Sequence, residues 1–161
     1  MSTGAQSQAQ GDDAAIVLED FLPYRLSVLS NTISNAIAEL YGDRFGLGIP
    51  DWRVMAVLAR FPGSSAQQLV ERTRMDKVAV SRAVSRLVER ELVARDTADE
   101  DRRRSELSLS AAGWDIYHRV VPLARDYEAQ LMARIDAGHR ELLGEMLQEL
   151  QSAAESLQPN E

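Results

Sequence analysis

The chain has 161 residues, 45% of them hydrophobic, so it is long enough to form one domain with an ordinary core. It contains no cysteine, which excludes disulfides and thiol redox sensing. Its formal net charge is −7 at pH 7, which argues against nucleic acid as a partner unless the charge is unevenly distributed along the chain.

The N-terminal residues, MSTGAQSQAQGDDAA, are small and polar. They lack the basic start and apolar centre of a signal peptide, and no apolar run in the chain approaches the roughly 18 residues of a membrane span. We therefore expect residues 1–15 to be a disordered tail and the protein to be cytoplasmic. Residues 16–161 are expected to form a single domain.

Three long amphipathic helices are predicted, one near the start of the chain and two in its last third. Their apolar residues recur at intervals of three and four, and these residues are Leu22, Leu26, Leu29, Ile33, Ala36 and Leu40; Tyr117, Val120, Val121, Ala124, Tyr127, Leu131 and Ile135; and Leu143, Met146, Leu147, Leu150, Ala154 and Leu157. Pro122 should bend the second helix, because proline removes one helical hydrogen bond. A two-fold partner that uses the same helices would cover this apolar surface, so the pattern predicts a homodimer.

Two shorter helices are predicted in the centre of the chain. Ser65 and Gln68 have the spacing of a capping box, which predicts a helix that begins near Ala66. Asp76 is a good N-cap for the next helix, whose buried stripe is predicted to be Val80, Val84, Leu87 and Val88. The outward face of that helix then holds three cations and no acid, and its residues are Lys77, Val78, Ser81, Arg82, Ser85 and Arg86.

A hairpin of two short strands is predicted directly after this helix, over residues 92–95 and 105–110. Its tip, residues 96–104, is rich in charge. The acidic run Asp99, Glu100 and Asp101 adjoins three arginines, so we expect ion pairing and turn solvation there rather than a metal site.

The outward face of the second short helix suits the major groove of duplex DNA. Arginine can donate two hydrogen bonds to guanine O6 and N7, and serine can bond to several base edges, so Ser81 and Arg82 are the first candidates for base contacts. Local charge agrees, because residues 60–104 hold 11 basic and 8 acidic side chains while the remaining residues hold 7 basic and 17 acidic ones. A basic face on an acidic body concentrates DNA binding on that face.

The stretch DKVAVSRAVSRLVERELVARDTADEDRRRSELSLSAAG resembles the recognition helix, the wing and the start of the next helix in the MarR family of bacterial winged helix-turn-helix regulators. Asp101, Arg103, Leu109, Ser110 and Gly113 have that family's D-x-R…L-[ST]-x-x-G spacing. The resemblance covers about residues 18–157. It implies a mainly α-helical fold with a small β-wing, a winged helix-turn-helix lobe at about residues 50–110, and dimerisation helices at about 18–42 and 112–158.

The resemblance also implies where DNA is contacted. Arg103 would enter the minor groove from the wing tip with Asp101 orienting its guanidinium, and a narrow minor groove attracts such a cation. The expected DNA-binding residues are Ser65, Lys77, Val78, Ser81, Arg82, Ser85, Arg86, Arg95, Asp101, Arg102 and Arg103.

Glu91 departs from the family pattern, which has glycine after the recognition helix. The left-handed conformation of a helix stop costs free energy in a residue with a Cβ, so we expect the chain to leave this helix by a different turn. This departure bears on the angle of the wing and not on its presence.

The resemblance further implies a small-molecule effector, often a phenolic or other aromatic acid, between the dimer helices and the DNA-binding lobe. Aromatic and cationic side chains suited to an aromatic carboxylate are Tyr24, Arg25, Trp52, Arg53 and His118. Arg25 and Arg53 would also suit the phosphates of a coenzyme A thioester, an effector of relatives that control catabolism of aromatic compounds. The alternative is that Trp52 caps the core and the arginines are solvated.

The expected function is therefore that of a ligand-responsive regulator, most often a repressor, whose dimer meets successive major grooves of a near-palindromic operator about 34–36 Å apart. Two other readings stay open: a nonspecific architectural DNA-binding protein and a winged-helix protein-interaction module. An enzyme is disfavoured, because the chain offers only His118 and His139, no G-x-S-x-G elbow and no phosphate-binding glycine loop. No cofactor or metal is expected.

Overall fold

The computed structural model describes residues 16–97 and 105–157. Residue contacts divide the chain into two units, residues 1–34 and 35–161. The expected tail over residues 1–15 and the wing tip at residues 98–104 lie outside the described residues.

The described residues are mainly helical with one small sheet. A 3₁₀ turn at Leu18–Asp20 precedes α1 (Leu22–Phe45), α2 (Ile49–Arg60), α3 (Ala66–Thr73), α4 (Lys77–Glu89), β1 (Val93–Thr97), β2 (Ser105–Leu109), α5 (Ala111–Ala133) and α6 (Ala137–Ser156). This order confirms the predicted fold class. None of the described helices combines the length and the apolar character that a membrane crossing requires.

The helix starts in the centre of the chain follow the predicted capping residues. The backbone N–H of Gln68 donates to Ser65 Oγ at 3.2 Å, and the N–H of Ser65 donates to Gln68 Oε1 at 2.9 Å. Asp76 Oδ1 accepts from the N–H of Ala79 at 2.8 Å. Each cap satisfies donors that would otherwise lack a partner at a helix N-terminus, so α3 and α4 begin where the sequence predicts.

The core of the second unit lies among α2, α3, α4 and the wing, with single contributions from α1 and α5. Its buried apolar residues are Tyr41, Leu47, Val54, Met55, Leu58, Leu69, Val80, Ala83, Val84, Leu87, Leu92, Val93, Leu107, Leu109 and Val120. The predicted stripe of α4 is confirmed at Val80, Val84 and Leu87, while Val88 is only partly buried. The face of α4 opposite this stripe is therefore left outside.

The wing is an antiparallel pair in which Val93 lies opposite Leu109 and Thr97 lies opposite Ser105. Ser64 adds an isolated bridge to Leu107, which ties the turn after α2 to the wing. Ser110 was expected to close the second strand. It instead caps α5, because its Oγ accepts from the N–H of Gly113 at 3.0 Å.

The expectation that the chain leaves α4 by a turn other than the left-handed helix stop is wrong. Glu91 adopts φ 58°, the left-handed conformation, even though it has a Cβ. Its N–H donates to the Val88 carbonyl at 2.9 Å and the N–H of Leu92 donates to the Leu87 carbonyl at 2.9 Å, which is the Schellman pattern of a helix end. Ser110 Oγ also donates to the Glu91 carbonyl at 2.6 Å, and Leu92 is buried. These contacts offset the conformational cost.

Gly113 is held at a close approach between α5 and the start of the wing. An added Cβ would lie 2.1 Å from the Leu92 carbonyl oxygen, which no side chain tolerates without a backbone shift. The N–H of Ser110 donates to the same carbonyl at 3.0 Å. Glycine at this position therefore sets how α5 joins the wing.

The three long helices are present, and α1 and α6 expose many of their apolar residues, whereas the predicted apolar stripe of α5 is buried or partly buried. In the first unit the exposed large apolar residues are Ile16, Val17, Leu18, Phe21, Leu22, Tyr24, Val28 and Leu29. On α6 they are Leu142, Met146 and Leu147, and α6 has no buried residue. Helix α5 continues through Pro122, and the expected bend there stays a prediction.

Candidate nucleic-acid interface

The outward face of α4 is exposed as predicted. Lys77, Val78, Ser81, Arg82, Ser85 and Arg86 are all exposed, while Ala83, Val84 and Leu87 on the other side are buried. Because α4 packs on α2, α3 and β1, its backbone is fixed by the core, and the exposed face is presented on a rigid support.

A shallow groove of about 150 Å³ runs along this face between α3, α4 and β1. It brings together four of the predicted residues, Lys77, Ser81, Ser85 and Arg95, although Arg95 belongs to the wing strand. Gln67 also lines the groove and was not among the predicted residues. The position of Gln67 in the first turn of α3, next to the capping Gln68, could have identified it from the sequence as a candidate contact.

Arg86 differs from the other predicted contacts because its guanidinium already has a partner. Its Nε and Nη2 donate to Asp51 Oδ1 at 3.1 and 2.7 Å. The Asp51 side chain is 6% exposed, and its other oxygen accepts from the N–H of Gly48 at 2.9 Å. Arg86 thus joins α4 to the first turn of α2, and its role as a DNA contact remains a prediction.

Arg90 makes a second link between the end of α4 and the preceding helices. Its Nη1 donates to the Gly46 carbonyl at 2.7 Å and its Nη2 donates to the Phe45 carbonyl at 2.5 Å. Cations suit the C-terminal carbonyls of a helix, because those carbonyls carry partial negative charge. The sequence pattern does not predict this role of Arg90, because its partners are backbone atoms more than 40 residues away.

Further cations flank the interface at the turn between α2 and α3. The guanidinium of Arg72 lies 3.8 Å and that of Arg60 lies 5.4 Å from the centre of the Phe61 ring. Ser65 is half-buried, and its hydroxyl oxygen accepts the capping hydrogen bond of α3. The hydroxyl hydrogen is still available for donation to a phosphate. The remaining predicted DNA contacts, Asp101, Arg102 and Arg103, lie outside the described residues.

Two of the predicted effector residues belong to an aromatic cluster in the second unit. Trp52 stacks on Tyr117 with ring centres 5.5 Å apart, and His118 stacks on Trp114 at 5.4 Å. Tyr41 lies 5.9 Å from Trp52 and is buried. The pKa of Tyr41 is raised from 10.0 to about 12, mainly by burial and also by nearby Asp51, while Arg53 lowers it. Trp52 is therefore partly packed into the core, which the sequence analysis held open as an alternative.

Of the other predicted effector residues, Arg53 follows Trp52 on α2 and acts electrostatically on Tyr41, whereas Tyr24 and Arg25 belong to the first unit. Tyr24 and Arg25 line a groove of about 650 Å³ along α1 together with Leu22, Leu26 and Leu29. Whether they share a site with the aromatic cluster stays a prediction. Among residues 16–97 and 105–157, no group of three or more His, Asp and Glu side chains is placed to hold a metal ion.

Helices α2, α3 and α4 followed by a two-stranded wing define a winged helix-turn-helix protein. A MarR family model matches residues 45–104. The transcriptional regulator HosA of Escherichia coli O111:H- is 25% identical over 104 residues, which are 65% of this chain and 77% of that protein.

Solved structures agree with this fold. A MarR/EmrR family transcriptional regulator from Acinetobacter sp. ADP1 is similar with a TM-score of 0.78 and 25% identity, covering 88% of this chain and all of that one. Bordetella bronchiseptica BpsR, whose DNA binding is regulated by 6-hydroxynicotinic acid, has a TM-score of 0.74 and 18% identity, covering 85% of this chain and 97% of that one. Residues 45–104 are thus similar to the MarR family, and the named relatives and solved structures that the chain resembles are transcriptional regulators rather than enzymes.

Proposed function

We propose that this protein is a homodimeric repressor that binds a near-palindromic operator through α4 and is released by an aromatic acid or its coenzyme A thioester. The observation that carries the proposal is the exposed face of α4, where Lys77, Ser81 and Arg82 stand on a helix fixed by the core. An α-helix fits the major groove, and these side chains are donors that base edges and phosphates accept.

Electrostatics supports a specific rather than an indiscriminate contact. The excess of basic over acidic side chains in residues 60–104 is small, and the rest of the chain is acidic. Nonspecific affinity comes mostly from phosphate neutralisation, so a small excess gives weak nonspecific binding. Discrimination among sequences would then come from hydrogen bonds that Ser81 and Arg82 make in the groove.

The homodimer is supported by the exposed apolar faces of the long helices. Leu142, Met146 and Leu147 on α6 are each about half exposed. In the first unit, α1 exposes Leu22 and Leu29 to a similar degree. Exposed apolar surface along a helix marks a protein interface, and a two-fold dimer would present two α4 helices to successive major grooves.

An aromatic effector is supported by the mixture of aromatic rings and cations around Trp52 and by the regulation of BpsR. Such a ligand would act by population shift. The ligand would bind better to a dimer whose α4 helices do not match the spacing of the major grooves. DNA affinity then falls about tenfold for each 1.4 kcal/mol of that preference.

DNA fragments that flank the gene test operator binding, with fluorescence anisotropy as the measurement and scrambled fragments of equal length as the control. We expect one fragment to be preferred at least about 1000-fold and its affinity to fall with salt. Equal binding of all fragments would instead support an architectural protein. Binding to none of them would support a protein-interaction module.

Light scattering on a sizing column tests the dimer. Leu147→Lys places a charge on the exposed apolar face of α6 and should give monomers that retain a folded second unit. Ser152→Lys is the matched control, because Ser152 lies on the opposite, polar side of the same helix and should leave the dimer intact. A dimer that withstands Leu147→Lys would place the interface elsewhere.

Tryptophan fluorescence and operator release test the effector. Benzoate, 6-hydroxynicotinate and benzoyl coenzyme A are the probes, and we expect at least one to change both signals at the same concentration. Trp52→Phe should remove the fluorescence change, whereas Trp114→Phe should retain it. A ligand that releases DNA without perturbing Trp52 would move the site away from this cluster.

A further inference from the structure

Val78 is an apolar side chain in the middle of the polar face of α4. It is 58% exposed and occupies the second position of the helix. Ser81 and Arg82 follow it at intervals of three and four residues, so they are its neighbours on the helix surface. The exposed face of α4 thus holds one isopropyl group among hydroxyl, ammonium and guanidinium donors.

Its exposure is unusual within the winged lobe. Among the described residues from 46 to 97 and from 105 to 110, the exposed large apolar side chains are Phe61 and Val78. Phe61 is covered by a guanidinium, because Arg72 lies 3.8 Å above its ring. Val78 therefore needs a different explanation, and core packing does not supply one.

The chemistry of the major groove offers one apolar group to such a side chain. Base edges present donors and acceptors throughout the groove, and the exception is the C5 methyl of thymine. Recognition helices of this type place their N-terminal residues against base edges, and Val78 lies in the first turn of α4. A β-branched side chain has few rotamers, so little entropy is lost when it is held against a methyl.

We infer that Val78 packs on a thymine methyl in each operator half-site and so selects thymine at one fixed position beside the base read by Arg82. This inference rests on the proposed DNA binding through α4 and adds the identity of one base. Cationic and hydroxyl side chains surround the isopropyl group of Val78 on the surface of α4. This arrangement fits a DNA groove that offers one methyl group flanked by anionic phosphates.

Replacement of single thymines by deoxyuridine tests the inference, because it removes the methyl and leaves every hydrogen bond of the base. The operator is first selected from random duplexes, and each thymine pair is then replaced in turn. At one symmetric position we expect Kd to rise about fourfold per half-site, or about fifteenfold for the pair, as burial of one methyl group predicts.

Val78→Ala supplies the second arm of the test. It should weaken binding to the thymine operator and reduce the penalty of the deoxyuridine pair to less than about twofold. Ser85→Ala, on the same face two turns along α4, should weaken binding yet retain the full penalty. Alanine is a strong helix former at an exposed site, so we expect Val78→Ala to fold, which circular dichroism checks.

The outcomes separate this inference from the proposed function. If the wild-type protein selects no sequence, then the proposed function fails and the thymine contact fails with it. If it selects an operator but tolerates every deoxyuridine pair, the function stands and the contact with Val78 is wrong. The contact is equally wrong if the penalty persists unchanged in Val78→Ala.

Discussion

The Arg86 guanidinium donates two hydrogen bonds to a single carboxylate oxygen of Asp51, across 35 residues of sequence. Asp51 lies in the first turn of α2 and is almost completely buried, while Arg86 is about half exposed on α4. The pair therefore fixes α4 to α2 at the helix that carries the candidate DNA contacts. Asp51 also accepts from the backbone of Gly48, so the same carboxylate orders the turn that leads into α2.

Arg86→Ala should lower the free energy of unfolding by about 2 kcal/mol. Removing the arginine leaves the buried Asp51 carboxylate without its cation, and the partial exposure of Arg86 keeps the loss below that of a fully buried pair. Urea denaturation followed by circular dichroism measures the change. An unfolding midpoint equal to that of the wild type would show that the pair does not hold α4 in place.

Arg82→Ala is the matched comparison, because Arg82 lies one turn earlier on the same helix and is exposed. Its loss should change the free energy of unfolding by less than about 0.5 kcal/mol. On the operator it should cost about 1–3 kcal/mol and relax the sequence preference, whereas Arg103→Ala should weaken binding with less change in preference. Equal effects of Arg82→Ala on all DNA sequences would remove Arg82 from the base contacts.

Glu91→Gly should raise the free energy of unfolding by about 0.5–1 kcal/mol. The left-handed conformation costs a residue with a Cβ about 1–2 kcal/mol, and glycine avoids this cost while losing some entropy on folding. Glu89→Gly is the control with the opposite sign, because Glu89 is the last residue of α4 and glycine there should cost up to about 1 kcal/mol. Destabilisation by both changes would contradict the left-handed conformation at Glu91.

Gly113→Ala should be strongly destabilising, by about 3 kcal/mol, because the new Cβ would meet the Leu92 carbonyl at 2.1 Å. Gly144→Ala provides the comparison, since a Cβ at Gly144 has no neighbour within 4 Å among the described residues. Alanine within α6 should there stabilise the helix by up to about 1 kcal/mol. Thermal unfolding of both variants measures the difference, and a tolerated Gly113→Ala would mean that α5 is not packed against the wing.

Tyr41 should make stability depend on alkaline pH. Its pKa is about 12 in the folded protein and 10.0 in the unfolded chain, so the unfolded state loses the phenol proton first as pH rises. The contribution is fully present below pH 10 and is lost progressively up to about pH 12, by about 3 kcal/mol in all. Tyr41→Phe should lack this part of the decline when unfolding is measured across that range. Parallel curves for the two proteins would contradict the burial of the phenol.

The parts of the fold that sequence predicts well are those fixed by neighbours in the chain. The starts of α3 and α4 follow from Ser65, Gln68 and Asp76, whose partners lie three residues away. The exposed face of α4 follows from the spacing of Val80, Val84 and Leu87. The predicted helix starts and the predicted exposed face are both confirmed. Local spacing sets these features because helix geometry alone decides which groups meet.

The features that sequence did not predict depend on distant partners. The turn at Glu91 was misjudged because its cost is local while its compensation comes from Ser110, 19 residues away. The partners of Arg86 and Arg90 lie 35 to 45 residues away, and the pattern of α4 shows these arginines only as outward-facing cations. Gln67 was missed because the capping pattern draws attention to its neighbour Gln68, and the groove between α3 and α4 is what places Gln67 beside the predicted contacts.

The spacing of the two half-sites tests the account most directly. Binding of the wild-type protein is measured on the selected operator and on versions in which the half-sites are moved apart by about half a turn and by about one full turn of B-DNA. The account predicts that the half-turn insertion abolishes preferred binding, because the two half-sites then lie on opposite sides of the duplex and one dimer cannot present an α4 helix to both. Affinity that is unchanged by the half-turn insertion would contradict a dimer that reads successive major grooves.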